Sequence, residues 1–211
     1  MGFYRDRVFP LLCGWATGRF EKERDALLGV ATGKVLEIGV GGGASFVHYA
    51  SVADRVVGLE YSSAMLNKAR SELQRLRAAS RLRTSVELVQ GSVTALGFAD
   101  ETFDTVISFL VFCSLPEPEA GAREIFRVLK SGGRFLFFEH VVAPHERIAR
   151  WQRRLNPIWN KVACGCNLTR DTRGLFEKAG FRFEEIREYV HEDSMKLTSH
   201  KIQGIAVRPR C

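Results

Sequence analysis

Residues able to do chemistry gather in three places along this 211-residue chain. The first is Lys34-Val-Leu-Glu-Ile-Gly-Val-Gly-Gly-Gly-Ala-Ser45, where an apolar run carrying one carboxylate, Glu37, breaks into Gly39, Gly41, Gly42 and Gly43. Glycines at the end of a buried strand let a ligand approach the backbone closely, because no Cβ stands in the way. Glu60 follows about twenty positions later at the end of the next apolar run, where a carboxylate accepts hydrogen bonds from ribose hydroxyls. Together they describe a cofactor crevice. The second place is Glu139-His140, which closes the run Arg134-Phe-Leu-Phe-Phe138. An imidazole can take up a proton near neutral pH, and Glu139 either shares that work or holds the other ring nitrogen. His140 reads equally well as a hydrogen-bonded structural histidine, and His48 and His145 are weaker candidates. The third is cysteine. Cys164-x-Cys166 lacks the second pair that a zinc site needs, so no metal site is expected. Cys113, Cys164 and Cys166 could line a pocket, although Cys113 reads more simply as a small buried hydrophobe.

These groups need elements to hold them. Val35–Ile38, Val56–Leu59, Val86–Val89, Thr105–Phe109 and Arg134–Phe138 read as buried strands. A helix is expected from about Ala44 to Ala50, its free N–H groups facing the glycine loop. A second starts at Ser62-Ser63 with Met65 and Leu66 on its buried face. A third spans Glu119–Leu129, with Ala122, Ile125, Phe126 and Leu129 at helical spacing and Lys130-Ser-Gly-Gly133 as its stop. Alternation of strand and helix argues for a parallel doubly wound sheet. Further on, Asn156-Pro157-x-Trp159 is expected to break a helix. Thr169 or Asp171 caps the next one, which buries Leu175, Phe176 and Ala179 and ends at Gly180. Phe181–Tyr189 and Lys201–Val207 read as two closing strands, antiparallel because their link is short.

Composition narrows the class. With 45% hydrophobic and 26% charged residues the chain is ordinary globular material, long enough for one sizeable core. Its net charge of +7 permits contact with anionic surfaces. The basic run Lys68–Arg77 has no interleaved aromatics for base stacking, so no nucleic-acid partner is expected. The odd count of five cysteines and the lack of a secretory signal point to a reduced, cytoplasmic setting. No apolar run approaches the ~20 residues of a membrane span. Residues 1–33 read as an N-terminal helical lid or cap, ahead of a domain at 34–211. The cluster Phe3, Tyr4, Val8, Phe9, Leu11, Leu12 and Trp15 among arginines leaves peripheral membrane contact open.

The pattern acidic-x-Gly-x-Gly-x-Gly at Glu37–Gly43 resembles the first motif of class I S-adenosylmethionine-dependent methyltransferases. Three further segments resemble that class in order: Gly91-Ser-Val93 after the third strand, Thr102-Phe-Asp-Thr-Val-Ile107, and Arg127-Val-Leu-Lys-Ser-Gly-Gly-Arg-Phe135. The resemblance implies a Rossmann-like, doubly wound α/β sheet of seven strands, mostly parallel with an antiparallel last strand. It implies S-adenosyl-L-methionine as cofactor, held by Glu37, Gly39, Gly41, Gly43, Glu60, Tyr61, Ser92, Val93 and Phe109. A hydroxyl at Ser92 stands where the class often has an Asp. Phe-Phe-Glu-His-Val at 137–141, Trp-Gln at 151–152, Pro-x-Trp at 157–159, Gly-Cys-x-Leu-Thr-Arg-x-Thr at 165–172 and Leu-Val-Phe-Cys-Ser at 110–114 are similar to the membrane-associated thiol S-methyltransferases. That family carries a hydrophobic anchor that this chain does not show.

The implied activity is methyl transfer to a small, hydrophobic acceptor, a thiol first, with His140 and Glu139 as the catalytic candidates. Phe98, Phe109, Phe112, Trp151 and Trp159 would wall such a pocket, or equally belong to the core. The alternatives are C-, O- or N-methylation of a quinone-like or phospholipid head-group acceptor and, outside the class, an NAD-binding oxidoreductase or a non-catalytic cofactor-binding protein. Against the oxidoreductase, Ala44 stands where the third glycine of a dinucleotide fingerprint is needed, and the loop has no basic residue for a pyrophosphate.

Overall fold

The computed structural model describes residues 18–49, 53–82, 84–163 and 165–210. The apolar cluster at 3–15 and its lid or membrane reading lie outside the described residues. Seven strands form one sheet: β1 (Gly33–Ile38), β2 (Ala53–Glu60), β3 (Ser85–Gln90), β4 (Phe103–Phe109), β5 (Leu129–His140), β6 (Arg182–Val190) and β7 (His200–Val207). Their order is β3-β2-β1-β4-β5-β7-β6. All pairings from β3 across to β5 are parallel, whereas β7 runs antiparallel to both β5 and β6. This is the expected α/β sheet, with the antiparallel strand inserted between its neighbours.

Four of the five apolar runs form strands buried on both faces, while β3, at the sheet's edge, buries only Val86 fully. β5 shows it best: Phe135 and Phe137 pack into one core layer, Leu136 and Phe138 into the other, and all four are fully buried. A two-residue alternation that is apolar on both phases requires cover on both sides of the sheet. On one side lie α1 (Glu21–Leu28) and α2 (Ser63–Ala78), and on the other α3 (Pro118–Val128) and α5 (Thr172–Lys178). α4 (Glu146–Val162) follows β5. Burying each large side chain contributes about 1.5–3 kcal/mol, so these layers carry most of the stability. The described part of the N-terminal region belongs to this packing. Phe20 lies 5.2 Å from Phe138, ring to ring, and Leu27 and Leu28 are the buried face of α1.

Besides β5, which begins at Leu129 and takes in the expected helix stop at 130–133, two expected elements differ. Residues 44–48 form a run of turns rather than a helix, with Phe46 N–H bonding the Gly43 carbonyl and His48 N–H that of Ser45. Each bond reaches back three residues, so the loop coils tightly without the repeating bond to the fourth residue that an α-helix needs. Phe46 and Tyr49 are drawn into the core instead. The second difference is Pro157, which does not break α4 but sits inside it. Proline removes the bond to the carbonyl of Arg153, and Arg153 is exposed, so that carbonyl can turn to solvent. The capping and closing elements agree with expectation. Asp171 accepts from Gly174 N–H at 3.0 Å at the start of α5, and β6 and β7 pair as an antiparallel hairpin.

Candidate active site

β1 lies between β2 and β4, so the chain's crossovers diverge there and leave a crevice at the carboxyl ends of the strands. Gly39, Gly41 and Gly43 all have left-handed φ values of 63°, 56° and 88°. A Cβ on Gly39 would also meet Val111 Cγ2 at 2.6 Å, so only glycine fits between the two loops. Glu60, at the end of β2, ties the crevice together: its oxygens accept from Gly41 N–H at 3.0 Å and Ser62 N–H at 2.8 Å. Its place beside the glycine loop is the one expected of a ribose-binding carboxylate.

Glu37 lies beneath this loop rather than open to it. It is buried, accepts from the Tyr49 hydroxyl at 2.7 Å, and is pushed up from the ordinary carboxylate range by burial, against the pull of Ser45, Tyr49 and Arg24. Burial and the neighbouring carboxylate likewise push up the Tyr49 phenol. Ser92 bonds Thr94, Val93 is buried, and Tyr61 is 67% exposed at the rim. Phe109 closes the wall at the end of β4, stacked on Phe138 at 4.7 Å, with the Arg24 guanidinium 4.3 Å from its centroid. The groups at the crevice are thus one carboxylate, Glu60, with backbone N–H groups and hydroxyls, and no lysine or arginine stands in the loop 39–49. Those groups fit a cationic ligand bearing an ammonium and ribose hydroxyls, and do not fit a pyrophosphate.

A second group of buried polar side chains lies one strand over, at the ends of β4 and β5. Leu110, with φ of +59°, turns the chain sharply out of β4. Glu139 holds that turn: its carboxylate accepts from Ser108 Oγ at 2.6 Å, Val111 N–H and Phe112 N–H at 3.0 Å, and Cys113 N–H at 3.2 Å. It is 0% exposed, and burial pushes its carboxyl up against the opposing effect of these four donors. Glu139 therefore serves as an internal cap for the post-β4 turn, a use that spacing alone did not suggest.

His140, the next residue, has the freer chemistry. Its Nε2 faces the Leu197 carbonyl at 3.3 Å, so Nε2 carries the hydrogen and Nδ1 is the nitrogen left to take a proton. Nδ1 is buried and makes no regular hydrogen bond, and the same holds for Trp159 Nε1. Both groups lie close enough to Cys166 to favour its ionised form, and the Cys113 thiol, 3.7 Å from Ser114 Oγ, is its neighbour across the loop. The two thiols divide accordingly: Cys166 is lowered, chiefly by the neighbouring Cys113, and Cys113 is raised by Cys166 and by burial. Lys201, at the start of β7, is 3% exposed; burial holds its amine down to about 8 while both sulfurs and Glu139 draw it up. Gln152 of α4 stitches the floor, accepting from Ala143 N–H at 2.8 Å and donating to Leu197 O at 2.9 Å.

Of the site residues expected from the sequence, the structure brings the glycine loop and Glu60 together at one crevice and sets His140 near Cys166. Sequence reasoning did not single out Lys201, Gln152 or the approach of the Cys113 and Cys166 segments. The available signal was that Leu-Val-Phe-Cys-Ser and Gly-Cys-x-Leu-Thr-Arg each carry one cysteine in an otherwise apolar setting. His48 lies away from this cluster, bonded to Asp25, and among the described residues no group of metal-ligating side chains converges.

The comparisons with known proteins agree with this geometry. Residues 36–137 match a family model described as a methyltransferase domain. The chain is 34% identical over 157 residues to the thiol S-methyltransferase TMT1B of Homo sapiens, covering 72% of this chain and 62% of that protein. It spans less than two thirds of the length of the thiol S-methyltransferases it matches. It is 33% identical over 148 residues to a phosphatidylethanolamine N-methyltransferase of Cereibacter sphaeroides, covering 67% of this chain and 70% of that one. Among solved structures, a SAM-dependent methyltransferase of Methanosarcina mazei superposes with a TM-score of 0.65 at 20% identity, over 84% of this chain and 93% of that chain. A crevice built for a cationic nucleoside, a sheet of this order and relatives of this coverage have one common account: the chain belongs to the class I S-adenosylmethionine-dependent methyltransferases.

Proposed function

We propose that this enzyme methylates small, hydrophobic thiols. The observation that carries the reading is the cluster of His140, Lys201, Cys113 and Cys166 at the carboxyl ends of β4 and β5, where acceptor meets cofactor in this fold. An acceptor thiol of ordinary pKa is only a few per cent thiolate at neutral pH. A buried ammonium and an imidazole nitrogen open to a proton favour sulfur in its anionic, nucleophilic form, and a site that holds one thiolate can hold another.

In this reading the bound cofactor supplies a methyl group on a positively charged sulfur with a good leaving group. Glu60 holds the ribose, the loop from Gly39 to Gly43 admits the amino-acid end, and Ser92 and Val93 flank the adenine, with Tyr61 at the rim. Glu37 supports the loop from below, and Phe109 walls the crevice. His140 Nδ1 receives the acceptor's proton, and Lys201 steadies the resulting charge. Glu139 acts on the acceptor only through the turn it holds. A reduced cytoplasmic compartment suits the thiols. No described helix is long and apolar enough to cross a membrane. The similarity to a phospholipid N-methyltransferase supports a second reading, an amine head group as acceptor.

The test is radiolabelled methyl transfer from S-adenosylmethionine to alkyl and aryl thiols, phenols, quinols and phosphatidylethanolamine vesicles. Thiols should be labelled first, and His140→Ala should lower thiol turnover roughly a hundredfold while calorimetric cofactor affinity is unchanged. Label confined to phosphatidylethanolamine would transfer the assignment to the second reading.

A further inference from the structure

Cys113 and Cys166 are far apart in sequence, yet the fold joins them by several independent ties. Asn167 N–H bonds the Cys113 carbonyl at 2.7 Å, drawing the 165–168 loop onto the post-β4 turn. Asn160 Nδ2 donates to the Gly165 carbonyl at 2.8 Å, and Asn156 Oδ1 accepts from Leu168 N–H at 2.7 Å, so α4 grips the loop from the other side. Gly165, at φ of +102°, passes so near the turn that a Cβ would lie 3.0 Å from Ser114 O. The outcome is two free thiols on adjoining, directly hydrogen-bonded segments, one buried and one half-buried. His140 Nδ1 and Trp159 Nε1 act on Cys166, both buried without a regular hydrogen bond, and the Lys201 ammonium, bonded to Thr198 O and over the Phe20 ring, adds positive charge from further off.

A cysteine that is partly accessible, electropositively placed and backed by a second thiol is disposed to attack other sulfur centres. We propose that Cys166 and Cys113 form a thiol–disulfide exchange pair that takes small apolar disulfides, with Cys166 attacking and Cys113 resolving. Val111, Leu115 and Trp159, all partly exposed, supply the apolar walls. In the first step the Cys166 thiolate attacks R–S–S–R, forming Cys166–S–S–R and releasing R–S⁻. In the second, Cys113–SH attacks the Cys166 sulfur, forming the Cys113–Cys166 disulfide and releasing R–SH. The protein dithiol is oxidised and the small disulfide reduced, with two electrons passing between them. A low-molecular-weight thiol, itself oxidised to its disulfide, restores the pair. The activity does not depend on methyl transfer to thiols. Where both occur, the first step delivers the acceptor as a thiolate at the place where methylation needs it.

The experiment uses the full chain with Cys13, Cys164 and Cys211 replaced by serine, and 4,4′-dithiodipyridine as the probe. The pair should consume one disulfide per chain, release both pyridine thiolates, and finish two hydrogens lighter with no adduct by intact mass. In the same background C113A should release one thiolate and keep a pyridyl adduct on Cys166, and C166S should lose the rapid phase. Cys166 should react roughly tenfold faster than a 161–170 peptide bearing the same single cysteine. Pyridyl adducts on both cysteines, or a Cys166 no faster than the peptide, would overturn the pair. Circular dichroism reports whether each variant is folded, and if C113A is not, the mass of the parent protein decides alone. Labelled methyl transfer run in parallel separates this outcome from that of the methylation assay.

Discussion

A carboxylate taken fully out of water survives as an anion only where donors replace the hydration it has lost. Glu139 has four, all from β4 and the turn after it. Removing the charge while keeping the shape should therefore act on stability rather than on proton transfer. Glu139→Gln places an amide N–H₂ against N–H donors and should cost about 2–3 kcal/mol in urea unfolding, while the pH profile of the remaining turnover keeps its position. A collapse of turnover with unaltered stability would restore Glu139 as a base. Lys201 makes the opposite case, a cation held where burial disfavours its charge. Its folded value of about 8 lies below the 10.5 of a free lysine. The amine's contribution is therefore fully present above about pH 10.5 and is lost as pH falls toward 8. Wild type should gain about 3 kcal/mol relative to Lys201→Met between pH 8 and 10.5, measured by unfolding at matched ionic strength. A constant difference across that range would show the amine to be as well solvated as a surface lysine. Neither role can be read from the residue types alone. Glu139 and His140 announce themselves by ending an apolar run, but which carboxylate oxygen meets which amide depends on the turn after a different strand. Lys201 and Cys166 enter the site from a hairpin and a loop whose positions only the finished sheet fixes.

Elements were legible in proportion to how strongly their apolar pattern committed them. The inner parallel strands were found because their Val, Ile, Leu and Phe runs have no stable alternative to burial on both faces, and β3, an edge strand with Glu87 exposed, from Val86, Leu88 and Val89. α3 was found from Ala122, Ile125 and Phe126. The region 44–48 was not, because Ala44-Ser-Phe-Val-His48 is too short for periodicity to discriminate a helix from successive turns, and the core drew in Phe46 and Tyr49. α4 shows the reverse error, in which a local breaker yields to context. Its 17 residues continue through Pro157, held by Gln152 on one side and by Asn156 and Asn160 gripping the Cys166 loop on the other. That proline imposes a strain the neighbouring contacts must outweigh. Pro157→Ala should restore the bond to Arg153 O and stabilise the protein by about 1–3 kcal/mol, seen as a higher urea midpoint with an unchanged m-value. A loss of stability would show instead that the bend made by Pro157 is what brings the Asn160 side chain onto the loop.

At the scale of the whole molecule, the sheet has an all-parallel side, β3-β2-β1-β4, and a side that β7 joins together. It is the one strand antiparallel to both neighbours, and its first residues carry His200 and Lys201 to the site. A strand threaded between two others must match both registers at once. At Gly204 it does so with no side chain: the residue is paired with Phe137 on β5 and Ile186 on β6. A Cβ there would collide with the Glu185 carbonyl and stand 2.9 Å from Phe137 Cζ. The obstruction on one side is backbone, which cannot rotate away, and on the other a ring locked against Phe176 at 5.0 Å and Phe183 at 5.9 Å. Gly204→Ala should therefore cost about 3 kcal/mol, the upper end of what overpacking usually exacts. The loss should be uneven. Hydrogen exchange should quicken along β6 and β7 while β1, β2 and β3, which share no register with Gly204, keep their protection. Cofactor binding at the β1–β2 end should survive in the same sample in which Lys201 has lost its fixed place and acceptor turnover has fallen. Uniform loss of protection across all seven strands would mean that the two halves fold and fail as one unit.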